Sequence, residues 1–142
     1  MSRRDPAARK LYAWEDSVVA PRDRSLVPFA QLQALVDHVW SEEGRHFPPR
    51  IRPLPKQARR TIARATRTAI ECPPELPSWV LLHEIAHALT CDVDGNGLNH
   101  GPDFVGAYVH LLARHARLDR AMLEATLREA GIAWAEVGRP AA

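Results

Sequence analysis

The sequence predicts an α+β fold, in which a small β-sheet follows the first of four main helices. Apolar residues recur at helical spacing in four segments, and strand-forming residues interrupted by prolines occupy the chain between residues 51 and 72. The chain has 142 residues, 46% of them hydrophobic, and this is enough to bury one core. We expect one domain over residues 11–136, with a disordered basic tail at 1–10 and a second disordered tail at 137–142.

The N-terminal part contains one clear helix. Residues 11–20 form a short amphipathic segment whose secondary structure the pattern leaves open. Apolar residues then recur at helical spacing and predict a helix from Pro28 to Glu43. Proline suits the first turn of a helix, and Gly44 suits the position just past its end.

Two segments with strand character follow this helix. Ile51–Leu54 fits only a short or edge strand, because Pro53 has no N–H to donate to a ladder. Thr61–Cys72 alternates loosely and favours a hairpin that turns near Arg67, although its Ala and Arg residues would also tolerate a helix.

Three more helices are expected in the C-terminal half. One covers Trp79–Thr90 after an N-cap at Ser78, and a polar loop over 92–99 connects it to the next, which starts near Gly101 and runs to His115. The last begins after an Asp119 N-cap and ends before Gly131.

The helix predicted after Ser78 carries the sequence His83-Glu84-Ile85-Ala86-His87. Positions i and i+4 project from the same side of a helix, so both imidazoles can reach one metal ion. Glu84 lies beside that face and can accept a proton from a water without being a ligand. The spacing therefore predicts a catalytic zinc site with Glu84 as general base.

A catalytic zinc ion takes three protein ligands and one open position. His100 follows thirteen residues after His87, at the start of the next helix, and Gly101 beside it permits a close backbone approach. We expect His100 to be the third ligand. A ligand six residues after His87 is excluded, because position 93 is Val, and a later carboxylate at Glu124 or Glu129 stays open as an alternative.

His83-Glu84-Ile85-Ala86-His87 followed by His100-Gly101-Pro102-Asp103-Phe104 resembles the minimal zincins of the SprT-like group, and more closely still a set of uncharacterised actinobacterial metallohydrolases. The resemblance covers residues 11–115 and implies a zincin-like fold. It also implies that an extended substrate pairs with an edge strand near residues 68–72. The zinc-ribbon tail of SprT-like proteins is absent, because the chain has only Cys72 and Cys91.

These observations predict a zinc metallohydrolase, most simply a metallopeptidase that holds one Zn²⁺ per chain and acts on a peptide or protein. A zinc-containing regulatory protein without catalysis stays open. Neither a secretory signal nor a stretch of about 20 apolar residues is visible, and two cysteines are too few for a disulfide framework. We therefore expect a cytoplasmic protein with no membrane segment.

The net charge is only +2, but no acidic residue occurs between Gly44 and Ile70. This stretch can bind nucleic acid, as a DNA-associated protease or a binding module would, or it can be a solvated face. The basic residues are Arg45, Arg50, Arg52, Lys56, Arg59, Arg60, Arg64 and Arg67.

Three smaller patterns have both functional and structural interpretations. The loop from Asp92 to Asp103 has the acidic spacing of a calcium loop, but position twelve is Asp where tight loops have Glu. Cys72 and Cys91 are expected to be small buried residues. An oxyanion-stabilising group is expected from a set that the sequence does not narrow: Tyr108, His110, His115 or an arginine.

Overall fold

The computed structural model describes residues 6–55 and 63–136 and has an α+β architecture, as the sequence predicts. The chain folds into two compact units, Ser25–Leu98 and a second one formed by the residues on either side of it. The Ser25–Leu98 unit contains both small sheets and two helices, and the other unit is helical. Whether residues 11–136 form one domain stays a prediction.

The helical unit starts with helix α1 (Pro6–Trp14), so residues 6–10 belong to a helix and not to a tail. The chain continues in a π-helical turn (Glu15–Val19) and a 3₁₀ turn (Ala20–Arg22). Residues 1–5 of the predicted N-terminal tail and the whole predicted tail at 137–142 lie outside the described residues.

The Ser25–Leu98 unit begins with strand β1 (Leu26–Pro28) and helix α2 (Phe29–Glu42), which confirms the first predicted helix. Gly44 ends the helix with φ +73°, in the left-handed region that favours glycine. The apolar stripe of α2 is buried and faces the core. Its members are Leu32, Val36, Val39 and Trp40.

A three-stranded sheet follows, in the order β2-β4-β3. Strand β2 (Arg50–Pro53) lies at an edge, as the proline requires, and pairs in parallel with β4 (Ala69–Cys72). Strand β3 (Arg64–Ala65) pairs antiparallel with β4 around a turn at Arg67, which confirms the predicted hairpin for its described part. Residues 61 and 62 lie outside the described residues.

The position of β4 corrects one expectation. The resemblance to zincins implies that residues 68–72 form an edge strand that pairs with substrate, but β4 is the central strand of its sheet. Its whole length pairs with β2, and Ile70 and Glu71 also pair with β3. The backbone groups of β4 are therefore used within the sheet, and this strand cannot add a substrate strand.

A second pair of strands has no signal in the sequence. Strand β5 (Glu75–Pro77) pairs antiparallel with β1, and helix α3 (Ser78–Thr90) follows directly. The predicted N-cap at Ser78 is wrong, because Pro77 occupies the cap position. Ser78 is instead the first helical residue, and its N–H donates to the carbonyl of Ser25 over 3.1 Å.

The helical unit resumes after Leu98 with α4 (Pro102–His115) and α5 (Arg120–Ala130), both as predicted. Asp119 caps α5 by accepting a hydrogen bond from the Ala121 N–H. Gly131 ends the same helix in the left-handed region. The sequence therefore marks both ends of this helix correctly.

None of the helices in the described parts of the chain combines the length and apolar character needed to cross a membrane.

Candidate metal centre

Helix α3 buries His83, Glu84 and His87. Every residue from Val80 to Ala88 is buried, which is typical of a helix that is covered on all sides. The rings of His83 and His87 lie 5.0 Å apart between centroids, at an interplanar angle of 65°. The i, i+4 spacing therefore brings the two imidazoles to one side of the helix, as the motif predicts.

Burial of these three side chains is the first indication that they serve a function. Among the described residues, four polar or charged side chains are classed as buried: the three motif residues and Glu15. Glu84 keeps only 7% of its surface exposed. Removing ionisable groups from water costs free energy unless partners compensate, so a core built only for stability rarely places three of them in one turn.

Glu84 also affects a neighbouring thiol. Burial raises the pKa of Cys72 to about 12, and the negative charge of Glu84 acts in the same direction. Cys72 ends strand β4 and is buried, so its thiol lies near enough to Glu84 to feel the charge of that carboxylate. The expectation of a small buried residue is confirmed for Cys72, whereas Cys91 is only half-buried.

His100 is held by a local turn and by two aromatic rings. The side chain of Asn99 accepts a hydrogen bond of 2.8 Å from the Gly101 N–H, which turns the backbone around His100. The rings of Tyr12 and Phe104 lie edge-on to the imidazole, with centroids 5.5 and 5.1 Å away. A Cβ on Gly101 would approach the Asn99 Oδ1 to 2.9 Å, so glycine suits this turn.

The ligand atoms of His83, His87 and His100 all lie within 4.8 Å of one another. Nitrogen ligands at roughly 2.0–2.1 Å from a tetrahedral zinc ion are about 3.4 Å apart, so small rotations of the rings bring this set into range. Three neutral imidazoles are also a donor set that zinc accepts in catalytic sites. The residues present therefore fit a zinc ion.

The late carboxylates do not join this histidine group. In the part of the chain that the structure describes, no other group of three or more His, Cys, Asp and Glu side chains is arranged to hold a metal. Glu124 and Glu129 both lie on α5, where Glu129 is exposed and one oxygen of Glu124 is buried.

The candidate calcium loop is folded around one aspartate. Asp92 accepts hydrogen bonds from the backbone N–H groups of Asp94 and Asn96 and from the Asn96 side chain. These bonds, with the Asn96 side chain contributing most, lower the pKa of the Asp92 carboxyl. A self-contained turn of this kind explains the acidic spacing without a cation.

The candidates for an oxyanion-stabilising group have different surroundings. Tyr108 is fully buried, and its hydroxyl donates a 2.7 Å hydrogen bond to Glu15, so that hydroxyl already serves a structural pair. His110 is half-buried and lies 3.3 Å from the guanidinium of Arg120. His115 is half-buried in the last turn of α4.

Part of the basic stretch serves the fold. The guanidinium groups of Arg45 and Arg67 lie 5.4 and 4.7 Å from the ring centroid of the buried Trp40. Arg67 also donates to the carbonyls of His46 and Phe47, and Arg64 forms an ion pair with Glu71. Arg50 and Arg52 are exposed on β2, and Lys56, Arg59 and Arg60 lie outside the described residues.

Sequence reasoning missed Tyr12 as a neighbour of His100. Nothing in the local pattern marks it, because it lies in α1 and the two residues are 88 positions apart in the chain. Nearly half of its surface is exposed. It is one of the few large apolar side chains in the described residues that are left open to solvent.

Comparison of the chain with protein-family models, with curated proteins and with solved structures finds no match.

Proposed function

We propose that the protein is a zinc-dependent hydrolase, with His83, His87 and His100 as metal ligands and Glu84 as general base. The observation that carries the proposal is the convergence of three imidazoles within 4.8 Å, with a buried carboxylate directly after the first of them in the chain. A structural histidine cluster has no need of that carboxylate.

When bound, a zinc ion supplies a Lewis acid that polarises an acyl oxygen and favours ionisation of water. The chain supplies the remaining parts. Glu84 accepts the proton of the attacking water and returns it to the leaving group, since it is the buried carboxylate of the motif. The apolar residues around it on α3 restrict access of bulk water, which strengthens electrostatic interactions inside the site.

A peptide bond is the substrate that we propose, by analogy with other hydrolases that have this motif. The setting that we propose is the cytoplasm, and the free thiols of Cys72 and Cys91 support it.

The test is Glu84→Gln. Glutamine is nearly isosteric and can still hydrogen-bond a water, but it cannot accept the proton. General-base catalysis contributes typically 10²–10⁴-fold, so we expect kcat to fall by at least about a hundredfold while zinc content and melting temperature stay unchanged. A library of unstructured peptides, read by mass spectrometry, provides the first substrate.

Glu75→Gln is the matched control, because Glu75 is an exposed residue of β5 in the same unit. It should keep full activity. Loss of zinc in Glu84→Gln would make Glu84 a ligand or a support for one. Wild-type activity in Glu84→Gln would show that another group is the base, and no peptide cleavage by a zinc-loaded wild type would favour a regulatory zinc protein.

A further inference from the structure

The helical unit contains a cavity of about 250 Å³ beside His100. The start of α1, the start of α4 and the residues that follow α5 form its wall. Most of the wall is apolar, and the apolar side chains include Pro6, Ala7, Ile132 and Ala133. Lys10 contributes the charged side chain of this wall.

The wall contains basic side chains and no acidic one among the described residues. Within the described residues, the lining has one lysine and one histidine and no acidic side chain. The Lys10 ammonium lies close to Gly131, since a Cβ built there would be 3.5 Å from Nζ. In the same part of the chain, the structure gives Lys10 neither a hydrogen bond nor an ion pair. Lys10 is exposed to solvent, and a cation beside an apolar wall favours a ligand that carries an anionic group.

The size of the cavity limits its ligand. Cavities that hold drug-sized molecules usually have about 300–1,000 Å³, so this one suits a single amino-acid residue. His100 is both part of this wall and part of the histidine group. A residue held here is therefore next to a ligand of the proposed metal site.

We propose that this cavity binds a carboxylate-bearing residue of the substrate, with Lys10 as the group that recognises the carboxylate. This inference rests on the proposed function and adds a substrate class to it: peptides with an acidic or C-terminal residue beside the scissile bond. The side-chain carboxylate of Asp or Glu and the free C-terminal carboxylate have the same chemistry, so the experiment separates them.

The experiment measures binding by ¹⁵N–¹H NMR on the full chain, with three small probes of nearly equal size. N-acetylglutamate α-amide has only the side-chain carboxylate, N-acetylglutamine has only the α-carboxylate, and N-acetylglutamine amide is neutral. We expect at least one acidic probe to shift the amides of Gly131, Ile132 and Ala133, with about two- to fivefold higher affinity than the neutral probe. The probe that binds identifies the source of the carboxylate.

Lys10→Met should remove this preference and Lys10→Arg should retain it. Arg9→Met is the matched control, because Arg9 is an exposed cation one position away on α1 and is not part of the wall. It changes the net charge equally and should leave binding unchanged.

Two outcomes would overturn the proposal. One is equal binding of acidic and neutral probes, or no binding at all. The other is a Lys10→Met protein that is less stable but binds the probes as before. Lys10 would then only stabilise α5, through the attraction between its ammonium and the negative C-terminal end of the helix dipole. Because binding and not turnover is measured, these results are independent of the Glu84→Gln result.

Discussion

Tyr108 and Glu15 lie 93 residues apart in the chain and form a buried hydrogen bond of 2.7 Å, from the phenol hydroxyl to the carboxylate. Tyr108→Phe removes this donor from a carboxylate that keeps only 3% of its surface exposed. We expect the free energy of unfolding to fall by about 1–3 kcal/mol, measured by urea denaturation. Activity per folded molecule should not change, because this hydroxyl serves the structural pair.

Glu15→Gln is the companion variant, since an amide keeps an acceptor for the same hydroxyl but carries no charge. It should cost less stability than Tyr108→Phe. A Tyr108→Phe protein of normal stability that no longer hydrolyses peptides would return Tyr108 to the role of oxyanion stabiliser.

The second prediction concerns metal content. We expect one zinc per chain in the purified protein, measured by plasma mass spectrometry, and strong loss in His83→Ala, His87→Ala and His100→Ala. Losing a ligand should weaken affinity by more than the roughly 10–100-fold that losing a ligand's hydrogen-bond partner costs. His38→Ala is the control, because His38 is exposed on α2. Full zinc occupancy in His100→Ala would show that His100 is not a ligand and would restore Glu124 and Glu129 as candidates for the third ligand.

The third prediction concerns Arg67, which lies over Trp40 and donates to two carbonyls. Arg67→Ala should lower stability by about 1–2 kcal/mol through lost cation–π and hydrogen-bond energy. Arg50→Ala, at an exposed position on β2, should change it by less than about 0.5 kcal/mol. Equal stability of the two variants would mean that Arg67 has no structural role.

Nucleic-acid binding by the basic stretch stays a hypothesis with its own measurement. It requires an affinity for DNA that falls steeply between about 50 and 200 mM salt. In that case Arg50 and Arg52, which are exposed, should contribute more than Arg67. Failure to bind either single- or double-stranded DNA at low salt would contradict the nucleic-acid hypothesis.

The fourth prediction uses the two thiols. The pKa of Cys72 is raised to about 12, mainly by burial, and that of Cys91 is raised for the same main reason. Since the thiolate is the nucleophile, labelling at neutral pH should be slow for both and should accelerate as the pH rises above about 9. Cys91 is half-buried and should react first, whereas Cys72 should react only after unfolding. Cys91→Ser should abolish the first phase, and rapid labelling of native Cys72 would contradict its burial.

The parts of the fold that sequence predicted are those with local causes. Helical periodicity marks α2 to α5, and Asp119 and Gly131 mark the ends of the last helix. The His83–His87 pair is likewise local, because one helical turn sets it. Short-range spacing was therefore sufficient for the core of the candidate site.

The features that sequence missed depend on distant partners. Strands β1 and β5 contain three residues each, and Pro28 and Pro77 hide their strand character. The central position of β4 depends on its pairing with β2, which no turn connects directly. Tyr12 beside His100 and Glu15 beside Tyr108 are tertiary contacts, so neither leaves a periodic signal.

The π-helical turn at Glu15–Val19 makes the number of residues in the N-terminal segment important for its packing. Its signature is the Ala20 N–H donating to the carbonyl of Glu15, five residues back. In a regular α-helix each residue turns the chain by about 100°, so Val19 would point about 140° away from Trp14. The wider turn allows both to be buried. Deleting one residue here would restore a normal helix but rotate Leu11 and Trp14 away from the interior. Substitution of the exposed Asp16 or Ser17 should therefore be tolerated far better than a change in length.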